Sequence, residues 1–374
     1  MKRTALTIMA ALLTVALLIA VNLQLDSSFN NIKFSQQNMK KDHNQKKPLP
    51  KNNSYICQQN LSAANMPGFS SFPSGIKDIF YYRHCRNFPV LLDLPGKCGE
   101  PGKSEKIFLL LAIKSASLNY DRREVLRKTW AEERLYNGVW IRQIFITGKH
   151  STNFEKQELL KLEHQQYNDI LQFDFEDTYL NLTLKQVLFL DWMEKNCQNF
   201  RFMLHTDDDV FANTDNIVQY LQSLKDNDGG KHLYIGSLMS GVPIRNSQSK
   251  YFIPVQMYES NKYPIYCSGG GYIQSAYTAL TIHKMSQSIP LLPMEDVYMG
   301  MCLAKAELKP AHHMGIKVFG LRMGPKKFLP YDPCLYKEVL LVHEFSPGQI
   351  YVLWKSIHNP SLKCGSKKTF PLGP

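Results

Sequence analysis

The chain has 374 residues, of which 44% are hydrophobic, 11% aromatic and 20% charged, with a formal net charge of +12. This length buries a full α/β catalytic domain of ~250 residues and leaves a long appendage, and the apolar content excludes a wholly disordered or a polytopic membrane chain. Lys and Arg are spread along the sequence, which reads as a solvated basic surface; a chain sent into the secretory pathway, as argued next, meets no nucleic acid.

After Met1-Lys2-Arg3, residues 4–23 carry no charge, and Asp26 closes the run. Roughly 20 apolar residues in a helix match the hydrocarbon thickness of a bilayer. Lys2 and Arg3 predict a cytoplasmic tail at 1–3 and a lumenal remainder, which is type II topology. A cleaved signal peptide is the plainer alternative, but its apolar core runs about 7–15 residues and ends in a small-residue cleavage site that is missing here. An uncleaved anchor is therefore expected. Sequons at Asn52, Asn60 and Asn181 agree with lumenal exposure. All eight cysteines (Cys57, Cys85, Cys98, Cys197, Cys267, Cys302, Cys334, Cys364) lie beyond the anchor and lack zinc spacing, so disulfides are expected, with connectivity open.

Residues 24–104 are rich in Asn, Gln, Lys, Ser and Pro and read as a partly disordered lumenal stem. Ile79, Phe80, Tyr81 and Tyr82 make one stretch more apolar, a candidate to pack onto the domain at 105–374. There the pattern alternates: strand 107–113, helix 121–133 with Val125, Leu126 and Trp130 inward, strand 144–146, helix 155–167, strand 170–173, amphipathic helix 180–195, strand 200–204. Alternation of this kind predicts an α/β fold, a mostly parallel sheet flanked by helices, with ligands at the carboxyl ends of its strands.

The last of these strands runs into Asp207, Asp208 and Asp209. Three adjacent carboxylates repel one another unless they are solvated or bind a cation, and Mg²⁺ or Mn²⁺ takes such hard oxygen ligands together with substrate phosphates. Alternation sends Asp207 and Asp209 to one side and Asp208 to the other. The plainer reading, a cap for the next helix, has less to explain because Thr214 is itself a good N-cap for 215–224. Glu295 and Asp296 form a second acidic pair, ordinary as helix-dipole partners but also able to take a proton from a sugar hydroxyl. Gly269, Gly270 and Gly271 allow backbone to approach a ligand, or simply make a turn. Arg122, Arg123 and Arg127 could grip phosphate or merely cover a helix, and His343 is a possible metal ligand although a lone His is more often structural.

Taken in order, Phe108-Leu109-Leu110-Leu111-Ala112-Ile113-Lys114-Ser115, Arg127-Lys128-Thr129-Trp130, Glu176-Asp177-Thr178-Tyr179-Leu180-Asn181-Leu182-Thr183-Leu184-Lys185, the aspartate triplet, Lys250-Tyr251-Phe252-Ile253-Pro254, Cys267-Ser268-Gly269-Gly270-Gly271-Tyr272 and Glu295-Asp296-Val297-Tyr298 resemble one family. It is the β-1,3-glycosyltransferases that transfer galactose or N-acetylglucosamine, glycosyltransferase family 31, and the likeness covers about 105–364. The glycine triplet resembles the N-acetylglucosaminyl branch more than the galactosyl branch. Departures are Ala131 where Gly is usual, His205-Thr206 where Lys and a small residue are common, and Gln274 after the glycines.

The resemblance implies a Rossmann-like glycosyltransferase A-type fold in the Golgi membrane and an inverting transfer from UDP-N-acetylglucosamine to galactose-terminated glycans, with Mn²⁺ or Mg²⁺. It implies Asp209 and His343 on the metal, Asp207 on the metal, its water shell or the ribose, and Asp296 as base with Glu295 beside it. Arg123, Arg127, Asp208, Gly269, Gly270 and Gly271 are implied on the sugar-donor side. Rival expectations are transfer from UDP-galactose, and a catalytically silent, lectin-like Golgi protein. Assembly with itself or with other Golgi glycosyltransferases is admitted.

Overall fold

The computed structural model describes residues 57–99, 107–150, 154–318 and 332–365. The tail at 1–3, the run at 4–23, the stem at 24–56 and Asn52 lie outside these residues. Among the described residues no helix is long and apolar enough to cross a membrane.

In chain order, helix α1 (Ser74–Tyr82) and strand β1 (Val90–Leu92) precede β2 (Ile107–Lys114), α2 (Tyr120–Arg127), β3 (Arg134–Tyr136), β4 (Val139–Lys149), α3 (Phe154–Tyr167) and β5 (Ile170–Glu176). Then come α4 (Leu182–Asn196), β6 (Phe200–Asp207), β7 (Val210–Ala212), α5 (Thr214–Ser223), β8 (Tyr234–Met239) and β9 (Tyr266–Ser275). The chain continues through α6 (Ala276–Ser286), α7 (Glu295–Lys305), β10 (Ala311–His312), β11 (Ile316–Lys317), α8 (Pro333–Tyr336), β12 (Leu341–His343) and α9 (Pro347–Ile357).

A nine-stranded sheet has the order β1-β5-β4-β2-β6-β9-β8-β10, with β3 added on β4. Every residue of β2 is buried. Leu110 and Ala112 enter one core with α4, α6 and α7, while Leu109, Leu111 and Ile113 enter the other with α2, α5 and α9. That two-sided burial is why the strand reads as a continuous apolar run. The expected parallel order holds across β5, β4, β2 and β6. Beyond β6 it fails: β9 runs antiparallel to both β6 and β8, so the sheet is mixed. The physical reason is the connection, since β8 returns to β9 without the helical crossover that a parallel pair requires. A small second sheet, β11-β12-β7, pairs His343 with Val210.

Several local expectations shift. Helix α2 ends at Arg127 rather than 133; the Thr129 hydroxyl donates to the Val125 carbonyl at 2.8 Å, and Trp130 leaves the helix to enter the core, donating to the Val210 carbonyl at 2.8 Å. The cap of α5 is Asn213, which accepts from the Asn216 N–H, while the Thr214 hydroxyl donates to the Trp130 carbonyl. Helix α4 is not amphipathic, for residues from Thr183 to Leu190 are buried without interruption. It is an interior helix, which is why its apolar periodicity is weak.

The compact unit begins at Cys57, so residues 57–99, expected in the stem, belong to the folded body. Disulfides join Cys57 to Cys85, Cys98 to Cys197 and Cys334 to Cys364. The expected disulfides are thus present among six of the cysteines, while Cys267 and Cys302 remain thiols; both are buried, and burial pushes each thiol up to about 12.

Candidate functional site

The site forms where β2 and β6 end, beside the glycines in the first half of β9, and where α7 and β12 approach them. Parallel register sets Lys114 beside Asp207. The Lys114 ammonium lies 3.1 Å from Asp207 Oδ1 and donates to Glu295 Oε2 at 2.9 Å. Burial opposes its charge, but the two carboxylates prevail and hold its pKa above the ordinary lysine value. Glu295 also accepts from the Tyr272 hydroxyl at 3.1 Å and is itself buried. Both of its oxygens are thus met by protein groups.

The three aspartates face different ways: β6 ends at Asp207, and Asp208 and Asp209 lie in the turn that leads to β7. Asp208 turns inward and accepts from the Ser115 hydroxyl at 2.7 Å and from Asn119 at 2.8 Å; burial raises its pKa. Asp207 and Asp209 stay partly exposed. His343, brought in by β12, places Nε2 3.2 Å from Asp209 Oδ1. Burial would raise the Asp209 pKa, yet neighbouring His343 and Arg122 lower it, and Asp209 in turn raises that of His343.

Asp207, Asp209 and His343 offer ligand atoms within 4.8 Å of one another. Converging carboxylate oxygens and an imidazole nitrogen are donors that a divalent ion takes, so the three residues fit one. Two carboxylates with an imidazole suit Mn²⁺ better than Mg²⁺, which prefers oxygen alone.

Asp296 opens α7. Burial, with the charge of Glu295 beside it, pushes its carboxyl up to about 6, despite N–H donors at Val297 and Gly269. The glycines explain how this group meets the cation side. A Cβ on Gly269 would stand 3.7 Å from Asp296, whereas one on Gly270 would stand 3.1 Å from the His343 ring and one on Gly271 2.6 Å from Leu341. Close approach at Gly270 and Gly271 is therefore to protein, where a bound sugar donor was expected.

Arg123 and Arg127 also depart from expectation. Arg123 is fully buried, paired with Glu163 at 2.7 Å and donating to Ser115 Oγ and the Ala116 and Ser117 carbonyls. Arg127 pairs with Glu163 and Asp169. Neither guanidinium faces the triplet; Arg123 reaches Asp208 only through Ser115. Arg122 is the nearer cation, 3.8 Å from Asp208 and donating to the Phe345 carbonyl. Asn181 donates to the Glu176 carbonyl and Asn60 is exposed at the body's edge.

Sequence reasoning passed over Lys114, Lys185, Tyr179 and Tyr251. Lys185 is buried and pairs with Asp177 at 2.8 Å. The signal was a cation inside an apolar run, which demands a carboxylate partner. Tyr179 and Tyr251 stand with ring centroids 6.2 Å apart, and Lys250 Nζ lies 4.8 Å from the centre of Tyr251. Burial, then Tyr251 and the charge of Asp296, raises the Tyr179 pKa, while Lys114 opposes the rise; shortly after Tyr179 in the chain, the Thr183 hydroxyl donates to the Leu292 carbonyl at 2.5 Å, which seats this end of α4 on the segment leading into Glu295 and Asp296.

Among known proteins, a family profile described as galactosyltransferase matches residues 121–314. The human acetylgalactosaminyl-O-glycosyl-glycoprotein beta-1,3-N-acetylglucosaminyltransferase is 45% identical over 314 residues, spanning 82% of this chain and 80% of that relative. The human N-acetyllactosaminide beta-1,3-N-acetylglucosaminyltransferase 3 is 44% identical over 316 residues, 83% of each chain. A mouse UDP-GlcNAc:betaGal beta-1,3-N-acetylglucosaminyltransferase 7 is 36% identical over 318 residues, 83% of this chain and 78% of that one.

Proposed function

Because the chain belongs to the galactosyltransferase family, we propose that it is an inverting β-1,3-N-acetylglucosaminyltransferase of glycosyltransferase A-type fold. It takes N-acetylglucosamine from UDP-N-acetylglucosamine and places it on the 3-hydroxyl of galactose in glycoprotein glycans. The observation that carries this reading is the two-sided site: a base with a pKa raised to about 6 against Gly269, and a cation-fitting triad against Gly270.

Asp296 accepts the proton of the acceptor 3-hydroxyl as that oxygen bonds to the anomeric carbon. The bond from that carbon to the diphosphate breaks, its electron pair leaves with UDP, and the α-linkage becomes β. Inversion in one displacement needs no protein nucleophile. Mn²⁺ held by Asp207, Asp209 and His343 would neutralise charge on the departing diphosphate. Asp208, fixed by Ser115 and Asn119, sets the direction of its two neighbours. Glu295 and Lys114 hold Asp207 and the start of α7 in one register. The rings of Tyr179 and Tyr251 offer an apolar face on which the acceptor sugar stacks, with Lys250 at the edge.

Replacing Asp296 with Asn tests the assignment: transfer is lost while UDP binding is kept, and near-normal transfer would remove Asp296 from this role. Assaying UDP-N-acetylglucosamine against UDP-galactose separates the rival donor. No transfer from either donor in the presence of Mn²⁺ would favour the silent, lectin-like reading, although pure binding needs no raised-pKa carboxylate beside a cation site. A second acceptor reading has its own support, since one relative is named for an acetylgalactosaminyl-O-glycosyl-glycoprotein acceptor. An N-acetylgalactosaminyl peptide assayed beside N-acetyllactosamine decides between them. The expected setting is the Golgi lumen, anchored by residues 4–23; protease protection in sealed vesicles checks the topology.

A further inference from the structure

Residues 57–86 carry three contacts that converge on one side of the site. Ala63, Phe69, Ile76 and Phe80 form a small core of their own that closes on Phe252, the neighbour of Tyr251. Phe72 stacks on Phe80 with centroids 5.7 Å apart and meets the Phe252 ring edge-on at 6.3 Å, while Gln256 donates to the Pro67 carbonyl at 2.8 Å. Gly75 is the second contact: a Cβ there would stand 2.4 Å from Leu180 Cδ1, so the helix α1 backbone lies directly against the residue after Tyr179. The third is Arg86, which donates to the Ile289 carbonyl at 2.7 Å and reaches the Tyr298 hydroxyl at 3.5 Å, on the helix that begins with Glu295 and Asp296. The Cys57–Cys85 disulfide and an N–H bond from Asn60 to the Tyr81 carbonyl close the segment on itself. Asp207, Asp209 and His343, in contrast, are held by Lys114, by one another and by β12.

We propose that residues 57–86 are the support of the acceptor side: Phe72 and Gly75 position Tyr251 and Tyr179, so this segment sets acceptor binding and leaves the UDP and metal side untouched. The inference rests on the transferase reading given above. The edge-to-face rings of Tyr179 and Tyr251 present a sugar-binding surface only when their spacing is held, and Phe72 and Gly75 are positioning residues that act through Phe252 and Leu180. Gly75→Ala moves a flexible leucine tip by an ångström or so, enough to displace Tyr179 without opening a cavity.

The test uses the full-length chain with Phe72→Ala, Phe72→Leu and Gly75→Ala, and with Asp78→Ala on the exposed face of α1 as control. Initial rates give KM for UDP-N-acetylglucosamine and for N-acetyllactosamine, or for the N-acetylgalactosaminyl peptide if the unaltered chain uses that acceptor. Calorimetry gives UDP binding with Mn²⁺. The expected result is acceptor KM raised roughly tenfold by Phe72→Ala and Gly75→Ala, partly restored in Phe72→Leu, with sugar-donor KM and UDP binding within about twofold of the unaltered chain. Should Phe72→Ala not fold, Phe72→Leu and Gly75→Ala carry the same comparison. Parallel changes in both KM values, or an unchanged acceptor KM, overturn this inference alone. Absence of transfer by the unaltered chain overturns the functional reading and this inference with it.

Discussion

At the scale of single residues, the Asp296 carboxyl has been pushed from its ordinary value near 3.8 up to about 6. As the proposed base it works only when ionised, so kcat rises as pH climbs through about 6 and levels off above, a profile that initial rates across pH 4.5–8 would reveal. Asp296→Asn should lower kcat by about 100-fold or more. The same shift has a stability sign. A carboxyl whose folded pKa is raised destabilises the fold once ionised, an effect absent well below 3.8 and complete above about 6, worth about 3 kcal/mol. Asp296→Asn should therefore unfold at higher temperature than the unaltered chain at pH 7 but not at pH 3.5, which scanning calorimetry checks. The triplet and the acidic pair were legible in the sequence because bare carboxylates next to apolar runs need a reason. That Asp208 faces away from its two neighbours followed from the sequence, although the turn after β6 rather than strand alternation sets it. The engagement of Arg123 by Glu163 did not, since a partner forty residues away leaves no local trace.

Among elements, β9 matters most, because its glycines lie between Asp296 at the start of α7 and His343 at the end of β12. A methyl on Gly270 would press the His343 ring at 3.1 Å and Val318 Cγ1 at the same distance. Gly270→Ala should weaken Mn²⁺ binding roughly tenfold, measured by titration with manganese resonance detection, while UDP-sugar chemistry at Asp296 retains its pH midpoint. Strands β2, β4, β5 and β6 were legible as apolar runs with helices between. The antiparallel return of β9 was not, because hydrophobic runs of that length look alike whichever way they point. The hairpin of β3 and β4 had a readable sign that went unused: Asn137 and Gly138, with φ of 46° and 77°, make the Asn-Gly turn that twisted hairpins favour.

For the whole molecule, the decisive correction is where the folded body starts. A boundary at 105 would discard β1, the core around Phe69 and Phe80, and Cys98, which pairs with Cys197 across a separation of 99 residues. Loop-closure entropy assigns that bond about 4.7 kcal/mol, against about 3.6 kcal/mol for Cys334–Cys364 across 30 residues. A secreted form beginning at residue 53 should be recovered folded, and one beginning at 105 should not; yield and thermal unfolding after secretion decide it. Composition hid this boundary because the polar stretch before Cys57 and the aromatic one after it were averaged together.

One peptide unit, Gly269 to Gly270, has Asp296 beside one Cα and His343 beside the other. Consecutive Cα atoms are separated by a covalent distance of about 3.8 Å that no side-chain change alters. This unit works as a jig. On the roles proposed for Asp296 and His343, attack and departure would be gauged by bond lengths, while loops around the unit would be free to vary in what they recognise. Exchange of sugar donor or acceptor within such a body thus calls for new loops and no retuning of the reaction distance.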